Sequence, residues 1–531
     1  MRKKFHSVVF VFLFGLIIRI IHPTYGSPIF DVIYDESGNY LSALYMLWQK
    51  TIVVLHSQYP PLGVYIQIPF LVLSYMVLLL SGTVKSLNDF IFFLSTHEGY
   101  FLFIPRLLSG LLGAGTIITT FIIAQILFPK DKRVAFFSAV FLSLSFNHIQ
   151  YSHQGRPWIL SLFFLSVACI FMFRQNYRFF LSTLFIIITG GFLFQVGLIG
   201  LYIFTLIILS LLYGHKLNNQ SLLRCTLYII SIAISFKFWL SLVQFQLSLP
   251  FLFKTSIDNF MPNVVGFFTR ELFLTEPILL VLTVLFLLKP IAWQNPYRII
   301  SFFIVSYLLL SEVLFYHASR YLLPLLPFMS IFAGYVASRI RSKQYITILI
   351  VLTSVLPIFW LRTFLATPTY VQARNWLNGN ILPSTTIAST SIRFNGYTAS
   401  WEAINITQRF QPHAFQLAKA NLKPNEYPDN VRYIIFLEMV TDIGSIDEMN
   451  KTIKDLGIQY VIDYYWDPHQ SLHQKTGNTY HVLKHFSPLS TSQTEIPLFN
   501  IYESIGSTQL WSVLPSLKRA GPYVDILYES I

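Results

Sequence analysis

The chain has 531 residues, of which 54% are hydrophobic and only 11% charged, with a net charge of +13. Soluble globular proteins carry about 25% charged residues, so a soluble enzyme or binding module is excluded. Nucleic acid is excluded as a partner too, because the Lys and Arg stand in short clusters between apolar runs, the pattern that orients a chain in a membrane.

Met1-Arg2-Lys3-Lys4 and the apolar run to Ile21 imitate a signal peptide, but no small-residue cleavage site follows. The segment reads as a retained first helix, 8–21, with its N-terminus in the cytoplasm. Residues 22–105 then form a large outer loop, although 62–81 is apolar and long enough to span. That run pairs with 88–104 as a hairpin or lies in the interface; the sequence leaves both open.

Five basic clusters follow: Lys130-Asp131-Lys132-Arg133, Arg174 with Arg178, His215-Lys216 with Arg224, Lys289 with Arg298, and Arg339-Arg341-Lys343. Placing all five inside predicts crossings near 106–128, 134–150, 157–173, 179–194, 196–213, 223–243, 275–289, 298–315, 321–338 and 345–362. With the first helix this makes about eleven transmembrane helices, in a mostly α polytopic membrane domain over residues 1–362. Both cysteines, Cys169 and Cys225, lie inside apolar runs, so no disulfide framework is expected.

Beyond residue 363 polar residues rise and acids balance bases, and 363–531 reads as an extracytoplasmic α/β domain. A helix near 370–378 leads to a strand at Thr385–Ser389. Tyr433–Leu437, a helix near 445–456 and Gln459–Asp463 suggest strand–helix–strand order, with further strands at Leu498–Tyr502 and Tyr523–Leu527.

Ionisable groups are scarce on the outer side and fall into two kinds. The acids are Asp35 and Glu36, with Asp258 and Glu271 in a later loop; the cations nearest the boundary are Arg106, Arg156, Arg270 and Arg320. Adjacent carboxylates near lipid are costly, and outward arginine runs against the positive-inside bias. The planar arginine fork suits bidentate phosphate binding. Together these groups fit a reaction on a lipid-linked phosphate. His148 and His153 stand five apart without a nearby outward Cys or carboxylate, so their spacing makes no zinc site.

Several stretches resemble one family in the same order. They are Asp35-Glu36 with Tyr40, His56-Ser57-Gln58-Tyr59-Pro60-Pro61-Leu62, Arg106-Leu107-Leu108-Ser109-Gly110-Leu111-Leu112-Gly113, Tyr151-Ser152-His153-Gln154-Gly155-Arg156-Pro157 and Arg320-Tyr321-Leu322-Leu323-Pro324. Ala373-Arg374-Asn375-Trp376-Leu377 and Gly521-Pro522-Tyr523 add to them. The set is similar to polyprenyl-phosphate-dependent glycosyltransferases of the GT-C fold, which include protein O-mannosyltransferases and bacterial lipid A aminoarabinose transferases.

The resemblance implies inverting sugar transfer from a polyprenyl-phosphate donor to a protein, lipid or glycan hydroxyl outside the cytoplasm, in the cell membrane. It implies no cofactor and no required metal. Asp35 aligns with the catalytic base and Glu36 with its support. Arg106, Arg156, Arg320, Tyr321, His56 and Tyr40 would contact donor phosphate or substrate. Trp158 departs from the pattern, standing where many relatives carry Asp, and Phe194-Gln195 replaces a common Thr-Lys. Two other classes remain open. A transporter or flippase would place charges at mid-membrane, where Lys237 is the clearest exception to a nearly uncharged interior. A catalytically silent assembly subunit would tolerate the departures.

Overall fold

The computed structural model describes residues 2–25, 38–54, 59–96, 102–174, 179–214, 219–242, 267–314, 318–382, 385–390, 434–437, 446–476, 480–489, 510–519 and 521–529. Asp35, Glu36, His56, Asp258 and the expected strand Leu498–Tyr502 lie outside them.

Apolar composition makes helices here, because a chain surrounded by hydrocarbon must pair its amides within one segment. Each expected crossing falls on helix in the structure. Among the described residues, four helical stretches are long and apolar enough to cross a membrane: Leu62–Leu80, Phe103–Leu127, Ser319–Arg339 and Lys343–Asn380. The first covers the run whose place the sequence leaves open. Its proposed partner is a shorter helix, Leu87–Thr96, followed separately by Phe103–Leu127.

Two crossings are broken by local chemistry. The run 134–150 splits into Lys132–Leu144 and Phe146–Ser152, because Ser145 turns extended and its hydroxyl caps the second helix at the His148 amide, 3.4 Å away. Near 321 the chain runs as a 3-10 turn, Ser319–Leu325, containing Pro324, before the α-helix Leu326–Arg339. Proline lacks the N–H an α-helix needs, so the regular ladder starts only after it.

Three basic clusters meet at one end of the bundle. Asp131 caps the helix Lys132–Leu144 and pairs with Arg339 at 3.4 Å, and Lys289 lies over the Tyr335 ring. At the other end sits the polar C-terminal part. Among the described residues its strands are β1 (Ile387–Ser389), β2 (Ile434–Phe436), β3 (Tyr460–Tyr465), β4 (Tyr480–Phe486) and β5 (Tyr523–Glu529). They order as β2-β1-β3-β5-β4, parallel among the first three and antiparallel across β3–β5–β4. Strand β4 is absent from the sequence reading: it is an exposed edge with a register shift between Val482 and Lys484.

The sheet docks on the bundle through a shared core. Ile18, Phe146, Ile149, Trp360 and Phe364 pack with Val461, Ile462, Val524 and Leu527. Arg362 reinforces the seam by donating to the carbonyls of Pro515 and Leu517.

Candidate active site

The stretch joining Lys132–Leu144 to the helix Trp158–Phe173 is unusual for its polarity at full burial. Every residue from 145 to 158 is buried, including Asn147, His148, Gln150, His153, Gln154 and Arg156. Buried polar groups need partners. Following those partners maps the site.

Two glycines admit this stretch. A Cβ on Gly110 would stand 2.6 Å from the Arg19 carbonyl, and one on Gly113 would collide with the Ser152 hydroxyl. The Arg106–Gly113 motif is therefore a close-packing face that seats the first helix and the end of Phe146–Ser152 on Phe103–Leu127. Arg106, on the same helix, donates to the carbonyls of Tyr25 at 2.6 Å and Pro23 at 3.3 Å, with its guanidinium 3.9 Å from the Tyr25 ring centre. It ties down the chain leaving the first helix.

Arg156 and Arg320 form a different kind of place. Arg320 lies 5.2 Å over the Trp158 ring and 5.6 Å over Tyr321, and the two rings meet edge-on at 5.4 Å. Arg156, with Tyr59, Tyr151 and Tyr321, lies in the electrostatic neighbourhood of Arg320, and the two like charges repel. Four distant segments thus converge here: the Pro60-Pro61 region through Tyr59, the end of Phe146–Ser152, the start of Trp158–Phe173, and the 3-10 turn. Arg156 also borders a small cleft with Asn39, Gly63, Gln67, Pro105 and Pro157. Asn39 belongs to the helix Gly38–Gln49, which starts two residues after Glu36 in sequence.

Trp158 explains part of its departure from the family pattern. An aromatic face can hold a guanidinium where a carboxylate would otherwise pair with it, at about 0.5–2 kcal/mol.

Tyr40 is placed elsewhere, in a small core with Ala43, Leu44, Leu71 and Phe90. Gln195 is buried at the start of the helix Phe194–Gly214. The histidine pair has structural work. His148 accepts from Arg19 at its Nδ1, with Nη2 at 2.9 Å, while His153 donates its Nδ1 hydrogen to the Ile149 carbonyl at 2.9 Å and stacks on Phe364. Burial pulls His153 down to about 4, so it is neutral at physiological pH.

Sequence reading misses two buried ions. Arg19 reads as a cation at a helix end, yet it reaches inward to His148 and to the carbonyls of Gly15, Leu142 and Ser143. Glu276 is the second. It accepts from the Ser145 hydroxyl at 2.6 Å and the Asn147 amide at 2.9 Å. Its signal is a lone acid just before Pro277 at the head of an apolar helix, Pro277–Leu287. Glu271, five residues earlier, accepts from the Ser319 hydroxyl at 2.8 Å.

No family model and no curated protein matches the chain. Among solved structures, it is similar to ArnT, the aminoarabinose transferase, from Cupriavidus metallidurans in the apo state, at 12% identity and TM-score 0.48, over 91% of this chain and 96% of that one. The same protein bound to undecaprenyl phosphate matches at 12% identity and TM-score 0.47, over 90% and 95%. The apo Archaeoglobus fulgidus oligosaccharyltransferase matches at 10% identity and TM-score 0.47, over 99% of this chain and 88% of that one.

Proposed function

We propose that the chain is an integral-membrane glycosyltransferase that moves a sugar from a polyprenyl-phosphate donor to a hydroxyl acceptor, with inversion. The observation that carries this reading is the convergence of Arg156 and Arg320 with Tyr59, Tyr151 and Tyr321 at the end of the bundle where the C-terminal domain docks. Two neighbouring cations lined by aromatic rings suit a phosphate whose charge grows as its bond to the sugar breaks. The ordered motifs of the first outer loop add the acid chemistry.

In this reading the acceptor oxygen attacks the anomeric carbon from the face opposite the phosphate. The carbon–oxygen bond to the phosphate breaks, and the polyprenyl phosphate leaves with that electron pair. Asp35 takes the acceptor proton, a contribution of about 10²–10⁴-fold for a well-placed base. Glu36 orients the acceptor or a neighbouring cation. Arg156 and Arg320 hold the phosphate, with Tyr321 and His56 as further contacts, while Tyr40 packs in the small core beside the site. Arg106 contributes by fixing the loop after the first helix. The N-terminus is cytoplasmic and the C-terminal domain outside, so donor and acceptor meet on the outer leaflet.

Transfer of labelled sugar from a polyprenyl-phosphate donor in proteoliposomes tests the reading. Asp35→Asn abolishes transfer while the protein stays folded and inserted. Near-normal transfer by that variant would reject Asp35 as the base. Movement of the lipid across the bilayer without a new glycosidic bond would make the protein a transporter, and neither activity would make it an assembly subunit.

A further inference from the structure

We propose that Glu271 and Glu276 are positioning residues that clamp the two arginine-bearing segments of the site into register. The inference rests on the reading of Arg156 and Arg320 as donor-phosphate ligands. Both carboxylates stand where two helices meet, Phe267–Thr275 and Pro277–Leu287, and both are buried. Glu271 accepts from Ser319, the residue just before Arg320. Glu276 accepts from Ser145 and from the Asn147 amide, at the head of the short helix that leads to Arg156.

The two contacts are joined rather than parallel. Asn147 donates from its side chain to the Thr275 hydroxyl at 2.8 Å, and Thr275 donates in turn to the Glu271 carbonyl at 2.7 Å. A continuous strip of hydrogen bonds therefore runs from the Arg320 turn, through the helix junction, to the start of the Arg156 segment. Arg320 and Arg156 repel one another. Like charges drift apart unless their backbones are held, and this strip holds both backbones from behind. The donors to Glu276 are neutral, and no ion pair involves it among the described residues. At Glu276 the strip requires an acceptor oxygen, not a negative charge.

That distinction sets the test. Glu271→Gln and Glu276→Gln keep an acceptor for Ser319, Ser145 and Asn147. Glu271→Leu and Glu276→Leu remove it. The readouts are binding of undecaprenyl phosphate to the purified full-length protein and hydrogen exchange of residues 146–152 and 319–325 without ligand.

The Gln variants bind within about twofold of wild type. The Leu variants bind about tenfold more weakly, the order expected when buried donors lose their acceptor, and both segments exchange faster. Should a Leu variant fail to fold, Ser319→Ala and Ser145→Ala remove the same bonds without emptying the core and weaken binding by about fivefold. Gln variants as weak as the Leu variants would overturn the clamp, because the charge would then be what matters. Wild-type affinity and exchange in the Leu or Ser variants would overturn it equally. A wild-type protein that does not bind undecaprenyl phosphate, with Leu variants that still loosen both segments, rejects the phosphate reading and with it the clamp's part in donor binding.

Discussion

Arg106 and Arg320 carry the same signature in sequence, an arginine opening an apolar segment. Their surroundings are opposite. Arg106 donates to the carbonyls of Pro23 and Tyr25, whereas Arg320 rests on two aromatic faces with a second arginine close by. Carbonyl partners satisfy a guanidinium and make it a joint. Aromatic faces hold a guanidinium through its charge, and a neighbouring cation adds to the attraction for an anion. The two arginines differ in their surroundings and not in their sequence signature, and the proposed roles of binding and bracing rest on those surroundings.

Exchanging the two arginines' fates is the sharpest way to test the contrast. Arg320→Ala is expected to lower kcat/KM by about 10²–10³-fold with the unfolding temperature nearly unchanged, as for loss of a group that meets developing charge. Arg106→Ala reverses the pattern. Removing it strips Pro23 and Tyr25 of a buried charged donor, costing about 2–4 kcal/mol of stability, while the correctly folded fraction keeps its affinity for donor. Thermal unfolding alongside transfer kinetics reads both. Equal losses in both variants would erase the contrast.

Trp158→Leu breaks the contrast more gently, by removing the face under Arg320 without removing the cation. Loss of a cation–π contact raises the donor KM by about 3–30-fold and leaves kcat nearly intact. An unchanged KM would show that the ring only fills space.

The smallest effect lies in the outer domain. Asp463 accepts from Ser471, Leu472 and Thr390, and its cross-strand partner is Asp525, itself held by His485 and Tyr465. Burial, with added repulsion from Asp525, raises the Asp463 carboxyl to about 7 against those hydrogen bonds. The folded domain thus holds this proton more tightly than the unfolded chain does. Its stability from this group is full below about pH 4, falls as pH rises toward 7, and is flat above. Unfolding temperature should drop by about 2–8 °C across that window, and Asp463→Asn should flatten the slope even where it lowers stability at every pH. A slope unchanged in the variant would assign the titration to another group.

Much of the bundle is legible in the sequence because hydrocarbon leaves helices as the main choice, so apolar runs such as 106–128 and 157–173 announce themselves. Their interruptions are not. Ser145 looks like one more small residue in an apolar run, and its capping role depends on Glu276, 131 positions away. Strand β4 hides for a different reason. His481-Val482-Leu483-Lys484-His485 has no buried face to enforce alternation. The site divides in the same way. Arg156 and Arg320 can be named from motifs, but their union with Trp158 and Tyr59 is tertiary, and nothing near Glu271 or Arg19 in sequence reveals the partners each one meets.

A further bond reaches the junction between the helices Phe267–Thr275 and Pro277–Leu287. Trp511, on the short C-terminal helix Leu510–Val513, donates its indole hydrogen to the Leu274 carbonyl at 2.8 Å. Leu274 sits between Glu271 and Glu276 in sequence. The C-terminal part is thereby joined to the helix Phe267–Thr275, through one aromatic side chain and one carbonyl. Domain exchange between relatives would be governed by this key: a grafted outer domain that brings an indole to the Leu274 carbonyl inherits the spacing of the junction, and one that does not must set that spacing anew.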